Sequence, residues 1–221
     1  MAGAQVLAPA RVEALGAVPL AQVACGARHS LAAARDGAAF AFGLADDGRL
    51  GAPRGEECGL EVGPRRLPLR MALPEGARAQ AVAAGGHHSA VLLSEGRVAT
   101  CGRGTYGQLG HGDSASRAVP TTVEGLAGAV VVKVACGDTH TLALALTGEV
   151  FAWGAGEDGQ LGLGGPDGAA TPARVPGLPP AVGDVACGLV HSAAVPALVQ
   201  GGDARVADLE AQVASLKELL R

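Results

Sequence analysis

Aromatic side chains are almost absent: one Trp, one Tyr and three Phe stand in 221 residues. The core must therefore be built from Val, Leu and Ala, which reach less far and demand close approach of the backbones. Basic residues do not dominate either, since 17 Lys and Arg face 21 Asp and Glu for a formal net charge of −4. That balance offers no electrostatic footprint for nucleic acid, and none is expected as a partner. The N-terminus "MAGAQVLAPARVEALG" lacks the basic start and unbroken apolar run of an export signal. A membrane span is missing too: the longest uncharged stretch, Val185 to Gly202, is broken by His191, Pro196 and glycines, which suits strands better. Five Cys without an export signal read as free thiols in a reducing compartment, cytoplasmic or nuclear. What the chain does have is Gly, 35 residues, with 13 Pro, the composition of many tight turns between short segments.

Some of those glycines spell G-x-G-x-x-G at Gly102, Gly104 and Gly107, the pattern of a dinucleotide-binding loop. Such a loop should open a helix. Here it runs into "QLGHGDSASRAVP", where Gly, Ser and Pro oppose one. The same pattern returns at Gly154, Gly156 and Gly159, and a worn copy, "GLADDGRLG", begins at Gly43. It is a repeated loop, and no cofactor is expected. A second motif keeps the same period: "VACGARHS", "VAAGGHHS", "VACGDTHT" and "VACGLVHS" place His at 29, 88, 140 and 191. A third precedes each of these, starting at Pro9, Pro64, Pro120 and Pro172.

Within one unit the reading is of four short strands. From Pro120 come "TTVEGL", then the β-branched run "VVVKVACG", the alternating "HTLALAL", a Thr147-Gly148 turn and "EVFAWG". Four strands in a unit of this length is the pattern of a propeller blade. The turns "RDG", "SEG" and "LTG" at Arg35, Ser94 and Leu146 recur at one place in the unit, as hairpin tips.

V-A-C-G-x-x-H-S/T, a hairpin, an aromatic-Gly pair and G-Q-L-G, in that order, resemble the repeat of the regulator of chromosome condensation family. The resemblance covers residues 9–195, in units 9–63, 64–119, 120–171 and a partial 172–195, behind a tail at 1–8. It implies an all-β chain folded as about three and a half four-stranded blades of a propeller that usually has seven. Further blades of a longer chain, a partner or a second copy would close such a ring. The aromatic-Gly pair reads Phe42-Gly43, Cys101-Gly102 and Trp153-Gly154, so a smaller, looser core is expected at Cys101.

Repetition also decides what the reactive side chains do. One His per unit spreads His29, His88, His140 and His191 around a ring, so hydrogen bonds between strands explain them better than catalysis. Ser89 follows His88, but Ser30, Thr141 and Ser192 stand at the same place and no acid partner is identifiable, so no triad is read. Cys25, Cys136 and Cys187 share a position with Ala84, the mark of a small buried site rather than a metal cluster. Cys58 in a variable loop reads as an inert surface thiol. No catalytic, metal or cofactor residue is assigned.

The fourth unit meets Pro196 and acquires no aromatic-Gly pair. A linker, 196–203, then leads to Asp203, a helix-capping residue. Val206, Leu209, Val213, Leu216 and Leu220 follow at spacings of 3, 4, 3 and 4, an a/d stripe over residues 204–221. Such a helix, about 27 Å long, offers a surface for assembly with a partner helix or a second copy. The expected function is a non-catalytic scaffold for protein partners. Its candidate loops carry Asp46, Asp47 and Arg49; Arg103, Tyr106, Gln108 and His111; and Glu157, Asp158 and Gln160. The resemblance implies an alternative, guanine-nucleotide exchange on a small GTPase, the activity of the family's founding member. The matching residues are scaffold positions, so no exchange residue carries over.

Overall fold

The computed structural model describes residues 11–52, 64–179 and 181–197. The tail, Cys58, and the expected helix with its stripe from Val206 to Leu220 lie outside them. Among the described residues there are fourteen strands, with one-turn 3-10 helices between some of them. The first sheet holds β1 (Leu20–Cys25), β2 (His29–Ala34), β3 (Ala39–Leu44) and β4 (Pro64–Arg70). The second holds β5 (Ala79–Ala84), β6 (His88–Leu93), β7 (Val98–Gly102) and β8 (Arg117–Thr122). The third holds β9 (Val131–Cys136), β10 (His140–Ala145), β11 (Val150–Gly154) and β12 (Ala169–Arg174). The hairpin β13 (Val182–Cys187) and β14 (Ser192–Pro196) follows, with Pro196 opposite Val182 at its end. Strands in each sheet pair antiparallel in chain order, and the first strands β1, β5, β9 and β13 lie successively beside one another. That is the arrangement of propeller blades. The proline motifs at Pro64, Pro120 and Pro172 lie on the outer strands β4, β8 and β12, so a sequence unit opens on the sheet before its own.

Register is the same in each full blade: His29 stands opposite Gly43, His88 opposite Gly102 and His140 opposite Gly154. These glycines are required twice over. Their φ values are 113°, 109° and 111°, where an L side chain is strained. A Cβ at Gly102 would also lie 2.6 Å from both His87 O and His88 Cα.

The core is a set of layers between blades. Leu31, Leu50, Met71, Val82 and Leu93 fill the first junction. Leu92, Val98, Val123, Val134 and Trp153 fill the second, and Leu142, Leu144, Leu161, Val182 and Val185 the third. The second strands β2, β6 and β10 are covered on both faces, which explains their Ala-rich runs. Small side chains let sheets approach closely without aromatic filler. The looser core expected at Cys101 is corrected by this packing. Cys101 is fully buried, and the Met71 side chain sits over Gly51 as the Trp153 indole sits over Gly110. Burial pushes the Cys101 thiol up to about 12.

Candidate functional site

The repeated histidines bond strands of one sheet to strands of the next. His29 Nε2 lies 2.9 Å from Ser89 Oγ, His88 Nε2 2.9 Å from Thr141 Oγ1, and His140 Nε2 3.0 Å from Ser192 Oγ. Each hydroxyl belongs to the next blade. It donates in turn to a backbone carbonyl of the histidine's own blade: Ser89 to Arg49 (2.7 Å), Thr141 to Gln108 (2.9 Å) and Ser192 to Gln160 (2.7 Å). A hydroxyl has one proton, already given to the carbonyl, so the imidazole must donate from Nε2. That fixes a neutral ring with a bare Nδ1, and among the described residues the Nδ1 atoms of all three rings are buried without a partner. Burial, the largest cause, lowers the pKa of His88 to about 3 and of His29 to about 4, and lowers that of His140.

The Gly of V-A-C-G is part of the same device. A Cβ at Gly85 would collide with the His88 ring, and the carbonyl of Gly137 on the next blade closes the site from the other side. The backbone continues the stitch, with Gly86 N–H donating to Gly137 O at 3.2 Å and Asp138 N–H to Leu189 O at 2.9 Å. His191 departs from this set. It is exposed, and so is Cys25, which was expected to be buried with Cys136 and Cys187; those two are half-buried. Both exceptions lie on the two outermost sheets, where one junction face is open.

The G-Q-L-G loops close over the junctions. Gln108 and Gln160, at 0% and 3% exposure, each accept through Oε1 from the N–H two residues earlier, Tyr106 and Asp158 (2.9 Å each). Gln108 O also accepts from Trp153 Nε1 at 2.9 Å. Trp153→Phe deletes that donor and leaves part of the indole's space unfilled. It should lower stability by about 1–3 kcal/mol, read from the midpoint of a denaturant titration, while Trp153→Ala should cost more.

Arg49 takes the Gln position in the first loop and is 1% exposed. Its Nη2 reaches Asp47 Oδ2 at 3.0 Å and His87 Nδ1 at 2.9 Å, its Nε donates to Asp46 O at 2.9 Å, and Nη1 points at Gly86 O. Asp47 Oδ2 also accepts from Arg103 Nη2 at 2.9 Å. This charged knot joins the first blade to the second. His87 was not expected in it; the signal was Arg49, the one departure from Gln in the G-x-L-G ending.

These placements correct the candidate loop set. Arg49, Gln108 and Gln160 are buried; the Arg49 side chain bonds across the first junction, and the Gln108 and Gln160 amide oxygens bond within their own loops. His111 is half-buried, donating from Nε2 to Thr100 Oγ1 at 3.0 Å, and burial lowers its pKa to about 4. Asp46 and Asp47 are half-buried. Open to solvent are Tyr106, 53% exposed, with Glu157 and Asp158, and in part Arg103. Among the described residues no three of His, Cys, Asp and Glu come together where a metal ion could sit.

Consecutive four-stranded sheets joined through their first two strands define a β-propeller repeat protein. The family model described as the regulator of chromosome condensation (RCC1) repeat matches residues 36–92, 95–144 and 147–195, and a second of the same description matches 20–49, 79–108 and 131–160. The chain belongs to the regulator of chromosome condensation repeat family. It is 40% identical over 171 residues to the E3 ubiquitin-protein ligase HERC2 of Mus musculus, covering 76% of this chain and 4% of that protein. It is 36% identical over 174 residues to the mitochondrial RCC1 domain-containing protein RUG3 of Arabidopsis thaliana, covering 78% of this chain and 37% of that one. Among solved structures it superposes on Prp20p of Saccharomyces cerevisiae, described with its binding to Gsp1p and histones. That match has a TM-score of 0.71 at 26% identity, over 90% of this chain and 47% of Prp20p. Human WBSCR16 gives 0.72 at 29%, over 84% and 46%. The chain thus spans a small part of the curated relatives and just under half of the solved propellers.

Proposed function

We infer that the chain is a non-catalytic scaffold that presents loop tips on its propeller blades to protein partners, in the cytoplasm or nucleus. The observation that carries this is how the polar groups divide. The repeated His and Ser/Thr side chains are bonded between blades at the full junctions and the Gln108 and Gln160 side chains are buried against their own loops, whereas the tips around Tyr106, Glu157 and Asp158 are exposed and differ from blade to blade. Chemistry needs reactive groups that face a substrate, and recognition needs variable exposed ones. The stripe from Val206 to Leu220 would add a helix-mediated contact.

A second reading, guanine-nucleotide exchange on a small GTPase, is favoured by the likeness to Prp20p and its binding to Gsp1p. The likeness to HERC2 lies in the repeats and covers 4% of that protein, which gives no ground to carry ligation over.

Two measurements separate the readings. Tyr106→Ala combined with Asp158→Lys should leave the unfolding midpoint within about 0.5 kcal/mol of wild type and weaken partner binding at least tenfold. Release of labelled GDP from small GTPases should not accelerate in the presence of the chain. Catalytic acceleration of that release, lost in the double variant, would establish exchange instead. Partner binding indifferent to both substitutions would refute the tip surface.

A further inference from the structure

The rim between the first and second blades differs from the rim between the second and third. After β8 the chain makes the turn Glu124–Leu126, and Gly125 of that turn sits on Pro172 of β12, where an added Cβ would lie 2.7 Å from the proline ring. The segment after β4 has no 3-10 turn at that place. Met71 matches Val123, since each donates its N–H to the residue that opens the third strand, Ala39 and Val98. Leu73 then packs on the core two residues later, whereas Leu126 does so three residues after Val123. No turn therefore covers Pro120, which stands where Pro172 does in the register of the outer strand. A cleft of about 610 Å³ opens along β8 instead, with Ala72 to Pro74 as one wall and Val119 to Thr122 as the other. Both walls belong to blades inside the chain, away from its two open faces.

The polar groups at this cleft are acceptors. His111 lines it and gives its Nε2 proton to Thr100 Oγ1, because that hydroxyl gives its own proton to Leu109 O at 2.7 Å. Nδ1 is therefore bare, and burial, ahead of the Arg117 charge, keeps the ring neutral down to about pH 4. Glu124 also lines the cleft, and Glu75 follows Pro74 in its wall; both are exposed and, among the described residues, neither is in an ion pair. Arg117, a cation at the same cleft, is held by Asp113 through two bonds of 3.0 and 2.9 Å. We propose that this cleft docks an extended segment of a protein partner carrying alternate apolar and basic side chains. The apolar ones lie against Leu73, Pro74 and Val119, and the basic ones meet Glu75 and Glu124, a match of charge that selects the partner. The volume is in the range of about 300–1,000 Å³ found for ligand sites. Pro120 leaves the outer edge of β8 short of a donor, so side chains rather than strand addition carry the recognition. The proposal is independent of the loop-tip reading, since the cleft includes none of Tyr106, Glu157 and Asp158.

Fluorescence anisotropy with the full chain tests it. The probe is a labelled peptide that repeats leucine, proline and arginine, its prolines holding it extended before it binds. A control peptide carries glutamate in place of arginine. The expected result is saturable binding of the basic peptide, at least tenfold tighter than that of the acidic one. Ala72→Phe, which fills the cleft, should weaken it at least tenfold, and Glu124→Lys should narrow the preference for the basic peptide severalfold. Thr122→Phe blocks the cleft from the opposite wall and serves if Ala72→Phe fails to fold by far-UV circular dichroism. Tyr106→Ala combined with Asp158→Lys should leave peptide binding unchanged, so the outcome here is separate from that of the loop tips. Equal affinity for the two peptides, or no saturable binding of either, would overturn the proposal. So would binding that folded Ala72→Phe and Thr122→Phe chains retain in full, the mark of charge attraction elsewhere. Self-association of the chain that is lost in both cleft-filling variants would give the cleft to a second copy and overturn it as well.

Discussion

Gly102→Ala is expected to remove about 4 kcal/mol or more of folding stability, a large share of the roughly 5–15 kcal/mol that holds a typical domain. The φ of 109° alone strains an alanine. The larger effect is steric, because the added Cβ meets His87 O and His88 Cα at 2.6 Å. Both are backbone atoms of the paired strand β6 and cannot rotate away. Relief would pull β6 from β7 and draw His88 out of its bond with Thr141 on the next blade. Gly159→Ala is the control. Its φ is 73°, and no atom lies within 4 Å of the added Cβ, so only local strain of about 1–2 kcal/mol is expected. Urea titrations of the two variants check the difference. Equal midpoints would mean that the register glycine is no more than a turn residue.

Mild acid is expected to act as strongly as that substitution. In the fold His29 and His88 remain neutral to about pH 4 and about pH 3, while the unfolded chain takes up protons near the ordinary histidine value of about 6.5. Unfolding therefore binds protons, and stability present above about pH 6.5 is lost as the pH falls toward the folded-state values. Each of the two should contribute a loss of about 2 kcal/mol between pH 7 and pH 5, with His140 adding in the same direction. Chemical denaturation across this range should show the midpoint falling with acid. In His88→Gln the pH slope should be shallower by about one proton, although the variant is weaker at every pH. A midpoint flat from pH 7 to pH 5 would mean that the rings are not held neutral.

Much of this was legible before any coordinates. The period of "VACGxxH" and of the G-x-L-G ending located the blades, because a unit that makes one sheet must repeat its turns and its buried glycines together. Repetition likewise marked the G-x-G-x-x-G match as a blade loop, and in the fold that loop leads from β7 to β8. The partner of each histidine was not legible. Ser89 is adjacent to His88 in sequence, yet it bonds His29, and the crossing between blades follows from sheet stacking that no single repeat encodes. The packing at Cys101 escaped for a related reason. The side chain that fills the space, Met71, comes from the segment after β4 and lies outside the compared motif. Composition could not tell buried loop residues from exposed ones either. Arg49 and Gln108 look like loop polar groups by type, and only their bonds to the next blade show that they are internal.

The account rests on blades stitched by neutral histidines that donate from Nε2 to the next blade's hydroxyl. Nitrogen-15 NMR of the histidine-labelled chain at pH 6 and pH 5 measures this directly. The account predicts that His29, His88 and His140, assigned by single His→Gln variants, give a protonated Nε2 and a bare Nδ1 at both pH values, with Nε2–H protons slow to exchange. Averaged shifts moving toward the imidazolium value between pH 6 and pH 5, or a proton on Nδ1 in these three rings, would contradict it.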